Sequence, residues 1–307
     1  MCYTVLDLST HESRYLFKFG HKSYMNKHQQ LIDFLPPSSN FRNDASGTIT
    51  SYRINQSQTK NTERPALVFL HGFNGSSKSW ACQFAHFTNH TVIAIDAPGF
   101  GESQSVEGGM VAIADEVAAL IASLVTGKVV IIGHSMGGML AQVLGATHPD
   151  RCQAIILSCT HKGRAQPVGS PLGAAVQERI QQREVMDDAS YGALRVGKML
   201  SGKIDPQMMA FLAAIAGEIR VEGIRCGGFA MQYLDTSPFL EKITAPVAIF
   251  TGADDVVVKP DAAAALKAGL PQARHWLLAD VGHAPYCEDA ASFNASIEAF
   301  LDKVLAG

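Results

Sequence analysis

Hydrophobic positions along the chain keep two rhythms. Ala66 to Leu70, Thr91 to Ile95, Lys128 to Ile132 and Ala154 to Ser158 are short, nearly continuous apolar runs. Such runs are what strands buried on both faces look like. Thr48 to Asn55 instead alternates, as a half-exposed strand does, and a polar linker, Gln56 to Glu63, follows it. Ser77 to His86, Gly109 to Val125 and Met136 to His148 lie between the runs and carry helical spacing. Strands alternating with helices predict a mainly parallel sheet covered on both faces.

After Cys159 the strand rhythm stops. Residues 163 to 240 are rich in Ala, Gln and Met, with helical patterns near Leu172 to Met186, Tyr191 to Leu200, Pro206 to Ala216 and Gly223 to Leu234. The rhythm returns with Val247 to Phe250, a helix near Asp261 to Leu270, the run Arg274 to Leu278 and an amphipathic helix from Ala291 to Leu305. The prediction is one α/β domain over 46 to 307, with a helical cap, 163 to 240, inserted after the sixth strand. Residues 1 to 45 are polar, without clear periodicity, and broken at Pro36-Pro37-Ser38-Ser39-Asn40, which predicts a loosely attached extension. Met25 opens Met25-Asn26-Lys27-His28-Gln29, read as an alternative translation start that would leave residues 1 to 24 untranslated.

Composition narrows the class. With 307 residues, 47% hydrophobic, 17% charged and a formal net charge of -3, the chain is far from the composition of a disordered protein. A near-neutral balance without a basic stripe gives no footprint for nucleic acid. The most apolar stretch, Met110 to Gly133, is interrupted by Asp115, Glu116 and Lys128, so no membrane-spanning helix is expected. Cys2, Cys82, Cys152, Cys159, Cys226 and Cys287 are scattered and form no zinc-spaced cluster with histidine. Met1 to Gly20 lacks the order of a signal peptide. Free thiols and a cytoplasmic protein are expected, without metal or cofactor.

The sharpest chemical signal is Gly133-His134-Ser135-Met136-Gly137, set between an apolar run and a helical segment. It fits G-x-S-x-G, a strand-to-helix turn that projects the serine hydroxyl above a sheet and in which glycines leave room for crowded backbone. The N–H of Met136, at a helix start, is free to point at developing negative charge. Leu70-His71-Gly72-Phe73 follows the first buried run, and the N–H of Phe73 would complete an oxyanion hole. His71 reads as structural. The loop Asp96-Ala97-Pro98-Gly99-Phe100-Gly101-Glu102-Ser103 is assigned shape rather than chemistry.

A serine hydroxyl is a poor nucleophile near neutral pH, so it needs a base, and the base needs an orienting acid. Two segments sit where later strands end: Thr251-Gly252-Ala253-Asp254-Asp255 and Asp280-Val281-Gly282-His283-Ala284-Pro285. Together these motifs resemble the α/β-hydrolase superfamily over roughly residues 48 to 305. The resemblance implies Asp255 as the acid, with Asp254 as the alternative. It implies His283 as the base, in the pattern Gly282-His283-Ala284-Pro285-Tyr286-Cys287-Glu288.

Serine at the elbow argues against the carboxylate chemistry of haloalkane dehalogenases and epoxide hydrolases. Gly133 to Met139, with Thr236-Ser237-Pro238-Phe239 leading into Ile243-Thr244-Ala245-Pro246, is similar to small-molecule carboxylesterases, enol-lactonases and ring-cleavage-product hydrolases. The expected activity is hydrolysis of a small, apolar or aromatic carboxylic ester through an acyl-enzyme. Carbon-carbon or enol-lactone hydrolysis, and a small-molecule receptor on the same fold, stand as alternatives. Cap residues Met186, Met199, Met208, Met209 and Met231, with Phe211, Phe229 and Tyr233, suit an adaptable apolar pocket. Phe73, His134 and Arg164 are the expected substrate contacts, and Arg164, or Lys162 beside it, lies just past a strand, at the edge where ligands bind in open α/β sheets, placed to pair with a substrate carboxylate.

Overall fold

A computed structural model describes residues 27–57, 64–201 and 204–305. Met25, the alternative start, and residues 1–24 before it lie outside the described residues. The helices are α1 (Lys27–Asp33), α2 (Ala81–His86), α3 (Gly109–Leu124), α4 (Met136–Thr147), α5 (Ala174–Val185), α6 (Asp188–Gly197), α7 (Pro206–Gly217), α8 (Val221–Tyr233), α9 (Ser237–Leu240), α10 (Pro260–Gly269), α11 (Pro285–Glu288) and α12 (Ala290–Leu305). The strands are β1 (Ser38–Arg42), β2 (Ile49–Asn55), β3 (Ala66–Leu70), β4 (Val92–Ile95), β5 (Val129–His134), β6 (Cys152–Ser158), β7 (Val247–Gly252) and β8 (Arg274–Leu278). They form one eight-stranded sheet in the order β1-β2-β4-β3-β5-β6-β7-β8. The β1/β2 and β2/β4 pairs are antiparallel and the other pairs parallel.

The two-residue period of the strands sorts the core into two layers. In β3, Val68 and Leu70 pack with Val117, Met139 and Leu140 on one face. Leu67 and Phe69 pack with Trp80, Phe84 and Phe293 on the other. Trp80 and Phe69 pack with ring centres 4.9 Å apart and planes tilted by 42°, and both are fully buried. Burying an aliphatic or phenyl side chain of this kind stabilises the fold by about 1.5–3 kcal/mol, so the central strands hold the sheet together.

The expected extension is corrected at its end. Ser38–Arg42, placed within residues 1 to 45, is the edge strand β1, in register with β2 from Ser38 opposite Arg53 to Arg42 opposite Ile49. An edge strand needs no continuous apolar run, and this one alternates only between half-buried and exposed positions. Polar contacts seat it: Ser38 Oγ lies 2.9 Å from Ser51 Oγ, and Arg53 Nη1 donates to the Pro36 carbonyl at 2.5 Å. Leu31 of α1 is also buried.

Helices α5 to α8 stand between β6 and β7. The neck of this insertion is closed by a bridge between Gly163 and Asp235. Gly163 has φ +95°, and a β-carbon there would lie 2.7 Å from the carbonyl carbon of Leu234, so the two chains approach only because that position is glycine. Among the described residues no helix is long and apolar enough to cross a membrane.

Candidate active site

Because β3, β5, β7 and β8 run parallel, the segments that follow them emerge at one edge of the sheet. Ser135, between β5 and α4, has φ 52° and ψ -114°, a left-handed conformation that costs a non-glycine residue about 1–3 kcal/mol. The surroundings hold it there. Its N–H donates to Ser158 O at 2.9 Å, and its carbonyl accepts from the Thr160 hydroxyl at 2.6 Å and from Gly138 N at 2.9 Å. A β-carbon on Gly137 would press on the Leu70 carbonyl and lie 2.7 Å from His71 O, which is why the elbow needs glycine there.

His283 Nε2 lies 3.1 Å from Ser135 Oγ, and its Nδ1 lies 2.8 Å from Asp255 Oδ2. The other oxygen, Oδ1, accepts the N–H groups of Val257 and Val258, each at 2.8 Å. Asp255 is therefore saturated with donors and buried, whereas Asp254 is exposed and only its backbone N–H is used, toward Val281 O at 2.9 Å. Of the two aspartates left open by the sequence, Asp255 is the one brought to His283.

Glu288 fixes the loop that carries the histidine. Its carboxylate accepts Gly282 N at 3.1 Å and Ala284 N at 2.8 Å, on either side of His283, and also Ser201 N at 2.8 Å, from the chain after α6. Hydrogen bonds to an ionised acceptor are the stronger kind. His283 N additionally donates to Met199 O at 3.3 Å.

The remaining histidines sort by contact. His134 is buried, with ring centres 4.8 Å from His283 and 4.9 Å from Tyr286. Burial, with His283 and His71 nearby, holds it well below the ordinary histidine range. His71 accepts the N–H of Ala97 at Nε2, 3.0 Å, and donates from Nδ1 to Gly72 O at 2.8 Å. Burial lowers its pKa as well. The N–H groups of Phe73 and Met136 have no hydrogen-bond partner among the described residues.

A small cavity of about 90 Å³ opens onto Ser135 and His283. Phe73 and His134, read from the sequence as substrate contacts, are among the residues that line it. Arg164 does not. It is exposed, because Ala165 beyond it turns left-handed at φ 52° and the segment pairs outward, Arg164 N donating to Met231 O. The cationic residues that do line the cavity are Arg179, Arg195 and Lys198, from the inserted helices and the turn after α6, none of which the sequence singled out. Arg179 lies on a largely polar helix whose buried residues are Val176 and Ile180, so no periodic signal marked it as inward-facing. The apolar side is formed by Val196, Met199, Leu212 and Ile215.

Ligand atoms of Cys159, Asp255 and His283 lie within 4.8 Å of one another. They fit a metal poorly. Burial pushes the Cys159 thiol well above its ordinary pKa, away from the thiolate a metal would require, and the other two groups already bind each other.

Comparisons with known proteins bear on the family and the fold. A family model described as alpha/beta hydrolase fold matches residues 65–290. The pimeloyl-[acyl-carrier protein] methyl ester esterase of Citrobacter koseri is 27% identical over 258 residues, covering 80% of this chain and 98% of that protein. The enol-lactonase from Burkholderia xenovorans LB400 superposes with a TM-score of 0.73 at 22% identity, covering 84% of this chain and 98% of its own. A thermophilic esterase from Thermogutta terrifontis, in a malate-bound form, does so with a TM-score of 0.74 at 23% identity, covering 87% and 99%. At such identities the two structures speak for the fold alone. A family model spanning most of the sequence places the chain in the alpha/beta hydrolase fold family, and an elbow serine, an aspartate and a histidine stand in that chain order at one sheet edge.

Proposed function

We propose that the protein is a serine carboxylic-ester hydrolase acting on a small substrate through an acyl-enzyme. The observation that carries this is the unbroken chain from Ser135 Oγ to His283 Nε2 at 3.1 Å and from His283 Nδ1 to Asp255 at 2.8 Å. Both Asp255 oxygens accept hydrogen bonds, so Nδ1 is the ring's donor and Nε2 is left as the base facing the serine hydroxyl. His283 takes that proton as Oγ attacks the ester carbonyl carbon, and the developing oxyanion is met by the N–H groups of Phe73 and Met136. Return of the proton to the departing alcohol leaves the acyl group on Ser135, and His283 then activates water to release it.

Left-handed backbone at Ser135 supports the reading, since strain of this kind persists where surrounding structure over-determines it for a purpose. The apolar wall suits a short acyl or alcohol group, and five free cysteines among the described residues are consistent with action in the cytoplasm. The test is hydrolysis of a graded series of p-nitrophenyl acyl esters by wild type and Ser135→Ala. Burst and turnover by the wild type, lost in the variant, are expected. No release of p-nitrophenol by folded wild-type protein across the series defeats the proposal.

A further inference from the structure

Two arginines reach the cavity that holds Ser135, and among the described residues neither has a carboxylate against it. Arg195, on α6, is 5% exposed. Its guanidinium stacks over the Tyr191 ring at 5.3 Å, its Nη2 donates to Gln182 Oε1, and its Nε–H has no partner. Arg179, on α5, lies over the Phe73 ring at 5.1 Å and donates through Nη1 to Asn74 Oδ1 at 2.8 Å. The Tyr191 hydroxyl, buried beside them, is likewise unpartnered. Arg183, on α5 with Arg179, provides the contrast, for it is paired with Asp188 of α6 at 2.7 Å.

Enclosing cationic groups without a counter-charge is unfavourable unless an anion arrives to complete the site. Burial, and then the neighbouring Arg195, push the Arg179 pKa downward, the direction expected of a cation lacking its partner. Guanidinium forks match a planar carboxylate through paired N–H donors. Phe73 and Asn74 touch Arg179 and line the same cavity as Ser135, so an anion held there would belong to the molecule whose carbonyl faces the serine.

We propose that Arg179 and Arg195 form a carboxylate-binding subsite, and that the substrate is an ester carrying a second, free carboxylate, such as the half-ester of a short dicarboxylic acid. What is cleaved rests on the ester-hydrolase reading above; that an anion binds does not. This changes the substrate class expected from the sequence, from an apolar ester to one with an apolar body and an anionic end.

The experiment reads binding apart from turnover. Ser135→Ala is titrated calorimetrically with monomethyl succinate, glutarate and adipate and with the three matching dimethyl esters. A half-ester of at least one length should bind about tenfold or more tightly than its diester, the scale of one charge-assisted hydrogen bond. Adding Arg179→Gln or Arg195→Gln should abolish that preference, and adding Arg164→Gln, which is off the cavity, should keep it. Arg179 is only half-buried, so its variant remains informative if the Arg195 variant fails to fold. Equal or undetectable binding of both ester series, or a preference that survives the Arg179 substitution, overturns the proposal. Wild-type turnover is scored separately: no hydrolysis of these esters or of the p-nitrophenyl series, together with an intact half-ester preference, defeats the hydrolase reading while supporting the anion subsite.

Discussion

Replacing Asp255 by asparagine removes one charge and one acceptor while keeping the shape, and the hydrogen bonds dictate how the new amide must sit. Oδ1 receives two backbone N–H groups at 2.8 Å, and Oδ2 faces His283. If the asparagine oxygen stays on the Val257 and Val258 amides, two hydrogen bonds are retained, each contributing about 0.5–1.5 kcal/mol. The opposite orientation strands both buried donors, at about 1–3 kcal/mol each. The amide NH2 therefore turns toward His283 Nδ1, which can then only accept, so the ring proton moves to Nε2 and points at Ser135. A base that has become a donor cannot take the serine proton. On the proposed mechanism the expected loss in kcat is about 10⁴, the size of effect known for this substitution in a Ser-His-Asp protease, or about 5.4 kcal/mol of transition-state stabilisation. Initial rates on p-nitrophenyl acetate, with a thermal melt to confirm folding, measure it. Asp254→Asn, which touches none of these groups, should stay within about twofold. A folded Asp255→Asn enzyme retaining kcat within tenfold of wild type would refute the reasoning.

Three further outcomes follow from contacts elsewhere. Gly137→Ala should cost about 3 kcal/mol or more in urea unfolding, because its β-carbon meets the immobile carbonyls of Leu70 and His71. Gly127→Ala, with nothing within 4 Å, should be neutral or stabilising by about 0.4–1 kcal/mol; a similar loss in both variants contradicts the steric account. His134 and His71 are held below the usual histidine range by burial, so below about pH 6.5 the unfolded chain binds protons that the folded chain refuses. Stability is then fully present above that pH and falls as the medium is acidified, by up to about 1.4 kcal/mol per pH unit for each histidine. Urea midpoints between pH 7 and 5.5 should show the decline, and His134→Gln should flatten it; an unchanged slope in the variant rejects this assignment.

The parts of the fold that were legible in the sequence are those whose burial is complete. β3, β4 and β5 are covered on both faces, so every position had to be apolar and the runs stand out. β1 was hidden because an edge strand can be built from Ser38-Ser39-Asn40, with side-chain hydroxyls and Arg53 supplying what apolar contact does elsewhere. The candidate triad was legible because an elbow, a loop aspartate and a loop histidine each need particular neighbours in sequence. Arg179 and Arg195 needed none. They come together only through the packing of α5 and α6 over the sheet edge, and an arginine on a polar helix carries no mark of which way it faces. Arg164 misled for the complementary reason, since its distance past β6 was right and its direction, set by the turn at Ala165, was not.

Glu288 ties three backbone N–H groups into one carboxylate, two flanking His283 and one from Ser201. That shared grip ties the His283 loop to the segment after α6. If the 196–201 segment swings away to admit a bulky molecule, it must release the same carboxylate that holds the loop of the base. The loop of His283 would then lose part of its footing. A displacement of that segment would therefore be felt at His283 through a single carboxylate, with no direct contact needed between the two beyond the Met199 carbonyl.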